Sequence, residues 1–213
     1  MHLKRQKVPK NWPTKRKGTT FVVKPNFGMG KGLPILVVLR NVLGIAQTRK
    51  EVKKALHERK VLVNNKLAKN EKNSVLLFDT ITLVPSKRSY RLELSGSGKF
   101  KISEINSEEA NKKVSKIINK KTLKGKKTQL NLGDGKNFIS DIKCDVNDSV
   151  LIKDGKIEKC LPLKEKIKVF IFAGKHAGKE GIIQKIKLEK KIAELKIGDK
   201  DINVLIKQFM VVE

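Results

Sequence analysis

No helical or strand period runs through residues 1–32, and an apolar period sets in at Leu33. Pro34 suits a first helical position, where its missing N–H leaves no bond unmade. Ile35, Leu36, Leu39, Val42 and Leu43 then recur at helical spacing until Gly44 stops the run. Thr48-Arg49-Lys50-Glu51 predicts a capping box, the Thr48 oxygen taking the amide of Glu51 while the Glu51 carboxylate reaches back. The helix it opens should run to about Arg59, with Val52, Ala55 and Leu56 as its apolar stripe. A strand with Val61 and Val63 on one side follows, then a turn at Asn64-Asn65 and strands at 75–78 and 81–84.

Further on, 90–94 and 100–102 flank Gly96-Ser97-Gly98 and read as a hairpin. Asn106 with Glu109 predicts a capped short helix to about Ile118. After the basic run 120–127 come strands at 128–132 and 149–152, the latter turning at Asp154-Gly155 into 156–161. Beyond Gly181, Ile186 and Leu188 alternate with lysines. Ile192, Leu195 and Ile197 follow a turn at 189–191, and Ile202, Val204 and Ile206 follow Gly198-Asp199. Short strands at such close spacing suit a small barrel. The pattern as a whole predicts an α+β, mostly β chain in four parts: an extended arm (1–32), a two-helix module (33–88), a central β-rich domain (89–163) and a C-terminal barrel (164–213).

Charge changes what these parts are for. Lysine and arginine number 49 against 21 acidic residues, a formal charge of +28 on 213 residues. Self-repulsion on that scale fits a chain whose partner is a polyanion. Glu51 is the first acidic residue, and twelve basic residues precede it. Trp12, Phe21 and Phe27 lie among them, able either to stack on bases or to pin the arm to its own domain. Arg40 and Asn41, ending the first helix, should approach Arg49 and Lys50, starting the second; Lys53, Lys54 and His57 lie away from the apolar stripe. A basic helix face alone is commonly just a solvated surface, but such a corner can read phosphates.

No apolar run is long enough to span a membrane and no signal-type segment opens the chain, so a cytoplasmic protein is expected. Cys144 and Cys160 are too few for a zinc ribbon, and His2, His57 and His176 are scattered. No metal or other cofactor is expected.

FIFAGKHAGKEGII, at 170–183, invites a nucleotide reading that its spacing defeats. A phosphate-binding loop needs a preceding strand, a following helix and a hydroxyl residue after its lysine to hold magnesium. Here the run from Gly174 is one residue short, Glu180 stands in the hydroxyl's place, and no helical period follows.

Several runs carry a family resemblance. PILVVLRNVLGIAQTRKEVKKALHERKVLVNNKL is similar to the two-helix RNA-binding module of several ribosomal proteins and RNA-modifying enzymes. HLKR with Pro9 and Trp12, LRN at 39–41, EVKK at 51–54 and KCDVNDSVLIKDGKIEK at 143–159 narrow it. The chain resembles the archaeal and eukaryotic, e-type, small-subunit ribosomal protein four, distinct from its bacterial namesake. Residues 169–172 with Gly174, Gly178, Gly181, Ile182 and Ile183 resemble a KOW motif, so the barrel is expected to be SH3-like; Ala173 and His176 replace its usual Gly and Asn. Gly178 should supply a backbone angle closed to other residues, and Gly181 room for a crossing chain.

The resemblance implies a structural constituent of the small ribosomal subunit, bound to the 5′ region of its RNA beside other ribosomal proteins. It implies no chemical step, no membrane or small-molecule partner and no homo-oligomer. The RNA contacts it points to are Lys4, Arg5, Lys7, Lys10, Trp12, Lys15, Arg16 and Lys17 in the arm. Arg40, Asn41, Arg49, Lys50, Lys53 and Lys54 follow in the module, and Lys175, His176 and Lys179 at the KOW tip. Because the sequence stops at Glu213 directly after the last strand, without the C-terminal extension expected of eukaryotic members, an archaeal source is expected. Two alternatives stay open: a KOW-containing transcription or translation factor, and an RNA-modifying enzyme. For the second, Asp134, Asp141, Asp145, Asp148 and Asp154 fall mostly in turn-like contexts, without a base and orienting group nearby.

Overall fold

The computed structural model describes residues 2–140, 142–187, 189–198 and 200–212. Asp141, Leu188, Asp199 and Glu213, named above, lie outside these. Two compact units are present, one up to residue 95 with 99–111, the other 96–98 with 112 onward.

The first unit carries both helices. Leu33 and the run from Ile35 to Leu39 are buried. Pro34 caps a short turn of α-helix, Ile35–Val37, which widens into a π-helical turn over Val38–Val42, where the Leu43 N–H reaches back to the Val38 carbonyl at 2.9 Å. Gly44, at φ +66°, ends it. The second helix, Arg49–His57, has the expected capping box and stops two residues early, with Arg59 at φ +57°. The same unit holds an antiparallel sheet in the order Lys66–Leu67, Val61–Val63, Thr80–Leu83, Arg88–Leu94, Phe100–Ile105. Asn64 and Asn65 turn with φ of +49° and +60°, a conformation asparagine tolerates. Asn64 is also fixed by its amide, which donates to buried Asp79 at 2.8 Å.

Gly32–Pro34 pairs with Ser74–Leu76 as a separate two-stranded ladder. A Cβ on Gly32 would sit 2.2 Å from the Val75 carbonyl oxygen, inside any real contact. Gly32→Ala is therefore expected to destabilise this unit by about 1–3 kcal/mol, the usual scale of overpacking. Thermal unfolding of the full chain checks it; an unaltered melt would mean that the ladder can part freely.

The arm is folded onto this unit, where the sequence predicted an extended segment. Leu3–Lys4 pairs with Phe21–Val22, and Trp12 is 3% exposed with its indole N–H on the Met29 carbonyl at 3.1 Å. The Asn11 carbonyl takes the Phe100 N–H at 2.8 Å, and the Asn26 N–H donates to Lys72. Trp12 supplies the apolar burial that a lysine-rich segment otherwise lacks.

The second unit holds two antiparallel sheets. One is ordered Asn137–Ile139, Thr128–Leu132, Lys112–Thr122, Ser149–Lys153, Lys156–Leu161. Asp154 and Gly155, both at positive φ, make its tight turn. The other is ordered Lys200–Leu205, Ile192–Ile197, Glu180–Lys187, Lys168–Ile171, Phe209–Val211.

The helix predicted to Ile118 is absent. Asn106 and Ser107 accept bonds from Glu109 and Ala110 in a turn, and an eleven-residue strand, Lys112–Thr122, follows. Strands on both sides claim its backbone, and Lys113, Ser115 and Ile117 alternate inward. A turn cap could not outweigh two ladders of hydrogen bonds. The Lys113 ammonium lies 2.6 Å from the Asp134 carboxylate, and the two side chains are each 5% exposed. Buried Lys116 donates to the carbonyls of Ile206 and Phe209, and desolvation lowers its ammonium to about 8.

Candidate nucleic-acid interface

Arg5 organises the arm from inside. Its guanidinium donates to the Thr19 carbonyl at 2.6 Å, the Lys15 carbonyl at 2.7 Å and the Thr19 hydroxyl at 2.7 Å. Residues 15–19 are thereby held as a loop on which Lys15, Arg16 and Lys17 stand exposed. Lys4, Lys7 and Lys10 are exposed as well.

The helical corner completes the site. A cleft of about 460 Å³ is lined by Arg5, Lys15, Lys17, Arg40, Asn41 and Gln47, among others. A second, of about 390 Å³, is lined in part by Arg5, Lys24, Arg40, Asn41, Arg49 and Lys72. No acidic side chain lines either one. Six residues predicted from three stretches of sequence, Arg5, Lys15, Lys17, Arg40, Asn41 and Arg49, thus come together. Lys24 and Lys72 join them unpredicted; Lys72 had no signal, because only folding brings its loop to the arm.

The corner's charges are not equivalent. Arg49 Nε lies 2.9 Å from both carboxylate oxygens of Glu71, which is 4% exposed, and a contact from Arg49 Nη2 closes the pair. The guanidinium hydrogen bond holds the Glu71 carboxyl below its ordinary range. Arg49 therefore fixes the start of its helix. Lys50, Lys53 and Lys54 remain exposed on that helix, Lys54 loosely beside Glu58 at 3.9 Å. Cations at Arg49 and Lys50 oppose the helix dipole, a local cost that the capping box offsets. In it the Glu51 carboxylate accepts the Gln47 N–H at 2.8 Å and the Thr48 N–H at 3.4 Å, and these bonds lower its pKa. Trp12, predicted as a contact, faces protein.

In the second unit, residues 172–179 form the loop that resembled a nucleotide cradle. The amides of Phe172 and Ala173 donate to the Gln208 carbonyl, Gly178 to Ile171 and Lys179 to His176. Those amides are turned to protein, and the strand Glu180–Lys187 follows where a phosphate loop needs a helix. Gly174 and Gly178 have φ of +90° and +86°, and a Cβ on Gly181 would lie 2.9 Å from the Lys196 carbonyl. Lys175 and Lys179 are exposed at the tip and His176 is half-buried. Among the described residues no group of three or more His, Cys, Asp or Glu could hold a metal, and no helix is long and apolar enough to cross a membrane.

Over 192 residues, 88% of this chain and 81% of its relative, the sequence is 38% identical to small ribosomal subunit protein eS4 of Methanocella arvoryzae. The chain belongs to the S4e family. The Nanoarchaeum equitans eS4 protein is 37% identical over 191 residues, 87% of this chain and 82% of that one. The Ribosomal family S4e pattern matches residues 86–157, and the RS4NT (NUC023) domain matches 1–28, the stretch containing Arg5, Lys15 and Lys17. The S4e fold itself is supported by the crystal structure of 30S ribosomal protein S4e from Thermoplasma acidophilum. That structure matches with a TM-score of 0.73 at 23% identity, over 85% of this chain and 95% of that one.

Proposed function

We propose that this S4e family member is a structural constituent of the small ribosomal subunit in the cytoplasm, binding and stabilising small-subunit ribosomal RNA during assembly and translation. The observation that carries the reading is the pair of adjoining clefts that Arg5, Lys15, Lys17, Arg40 and Asn41 help to line and that no acidic side chain lines. Its chemistry suits phosphates at fixed spacing, so binding works by counterion release and shape and needs no reaction. Residues 164–213 act as an SH3-like KOW barrel that presents Lys175, His176 and Lys179, and the arm and module at 1–88 meet the 5′ region of the RNA. Neighbouring ribosomal proteins complete its surroundings.

Sedimentation of cell extracts tests this. One copy of the protein per small subunit is expected, retained at moderate salt and released steeply as salt rises. A chain confined to the soluble fraction at every salt concentration sinks the proposal.

A further inference from the structure

The 390 Å³ cleft contains more than charge. Its lining also includes Leu3, Leu36 and Val37, each buried, and Phe21, which is 53% exposed and has His2 tilted against it at 5.3 Å between ring centres. Arg40 and Lys72 stand at the same cleft. An RNA duplex keeps the faces of its bases stacked inside and presents phosphates, ribose and base edges, for which an exposed aromatic face has little use. An unstacked base has a π-face for Phe21 and flanking phosphates for the cations. The volume lies within the range of small-ligand sites, about 300–1,000 Å³.

We infer that this cleft takes one extruded base of RNA, stacked on Phe21, with the phosphates beside it on Arg40 and Lys72. The inference rests on the RNA-binding reading above and names the element of RNA structure that the arm recognises. His2, Phe21 and Lys72 become contacts that the charge pattern alone did not mark.

Two RNA hairpins test it with the full chain: one carrying a single bulged 2-aminopurine, the other fully paired and otherwise identical. The wild-type protein is expected to bind the bulged hairpin about tenfold more tightly, the scale of one base stacked on an aromatic ring. Phe21→Ala should abolish that preference while leaving affinity for the paired hairpin unchanged, and Phe21→Tyr should keep it. Equal wild-type affinity for the two hairpins overturns the base pocket, leaves the ribosomal assignment standing and needs no variant to fold. A Phe21→Ala chain weakened equally on both RNAs overturns it too, since the ring would then act only through the arm's structure. Binding to neither hairpin removes the RNA-binding reading on which the pocket depends.

Discussion

Changing Arg40, Lys50, Lys53 and Lys54 together to glutamine is expected to weaken binding to structured RNA by on the order of a hundred- to a thousandfold at physiological salt. Each side chain that neutralises a phosphate releases condensed counterions, so the slope of log affinity against log salt should fall by about three to four if all four touch the backbone. Stability should hardly change. Lys50, Lys53 and Lys54 are exposed, glutamine is a good helix former, and Thr48 and Glu51, which cap the helix, are untouched. Removing Lys50 even relieves a charge set against the helix dipole. Titrations at several salt concentrations separate the effects, and an unchanged slope would mean that this face points away from RNA.

The second large effect lies in the other unit. Asp134→Ala strips the buried Lys113 ammonium of a counter-charge 2.6 Å away, and loss of one partner from such a pair costs about 3–5 kcal/mol. The double change Lys113→Met with Asp134→Leu should cost far less, because neither charge is then left buried. Burial raises the Asp134 carboxyl, but Lys113's charge and hydrogen bond, with the Lys136 N–H, outweigh it and hold the group below its ordinary value. A carboxyl depressed in the folded state contributes fully above its unfolded pKa, about 4, and loses that contribution as pH falls toward the folded value. Denaturant unfolding at pH 7 and at decreasing acid pH should show the wild type weakening below about pH 4 and Asp134→Ala, already weak, changing less. Equal stability at pH 7 would show that water screens the pair.

The same buried lysines explain where the sequence misled. Features fixed by neighbouring residues were legible: the Thr48–Glu51 capping box, the stop at Gly44, and the turns at Asn64-Asn65 and Asp154-Gly155. The strand Lys112–Thr122 was not, because Lys113 and Lys116 are buried on opposite faces of the strand, at positions that a polarity pattern assigns to solvent. Their partners, Asp134 and the carbonyls of Ile206 and Phe209, are distant in sequence. At the corner, the approach of Arg40 and Asn41 to Arg49 followed from two helices in succession. That Glu71 would engage Arg49, or that Lys72 would reach the arm's cleft, depended on a loop whose place is set only by the whole unit. The arm's aromatics split between the two roles open to them. Trp12 pins the arm, while Phe21 remains exposed.

That arrangement bears on kinetics. With Trp12 seated and Arg5 bonded across the 15–19 loop, the arm meets RNA as a shaped body whose chain entropy was lost during folding. Association then resembles the docking of a rigid, highly charged surface, its rate governed by electrostatic steering and damped by salt. A Trp12→Ala chain, with the arm loosened, would have to search for that shape after each encounter.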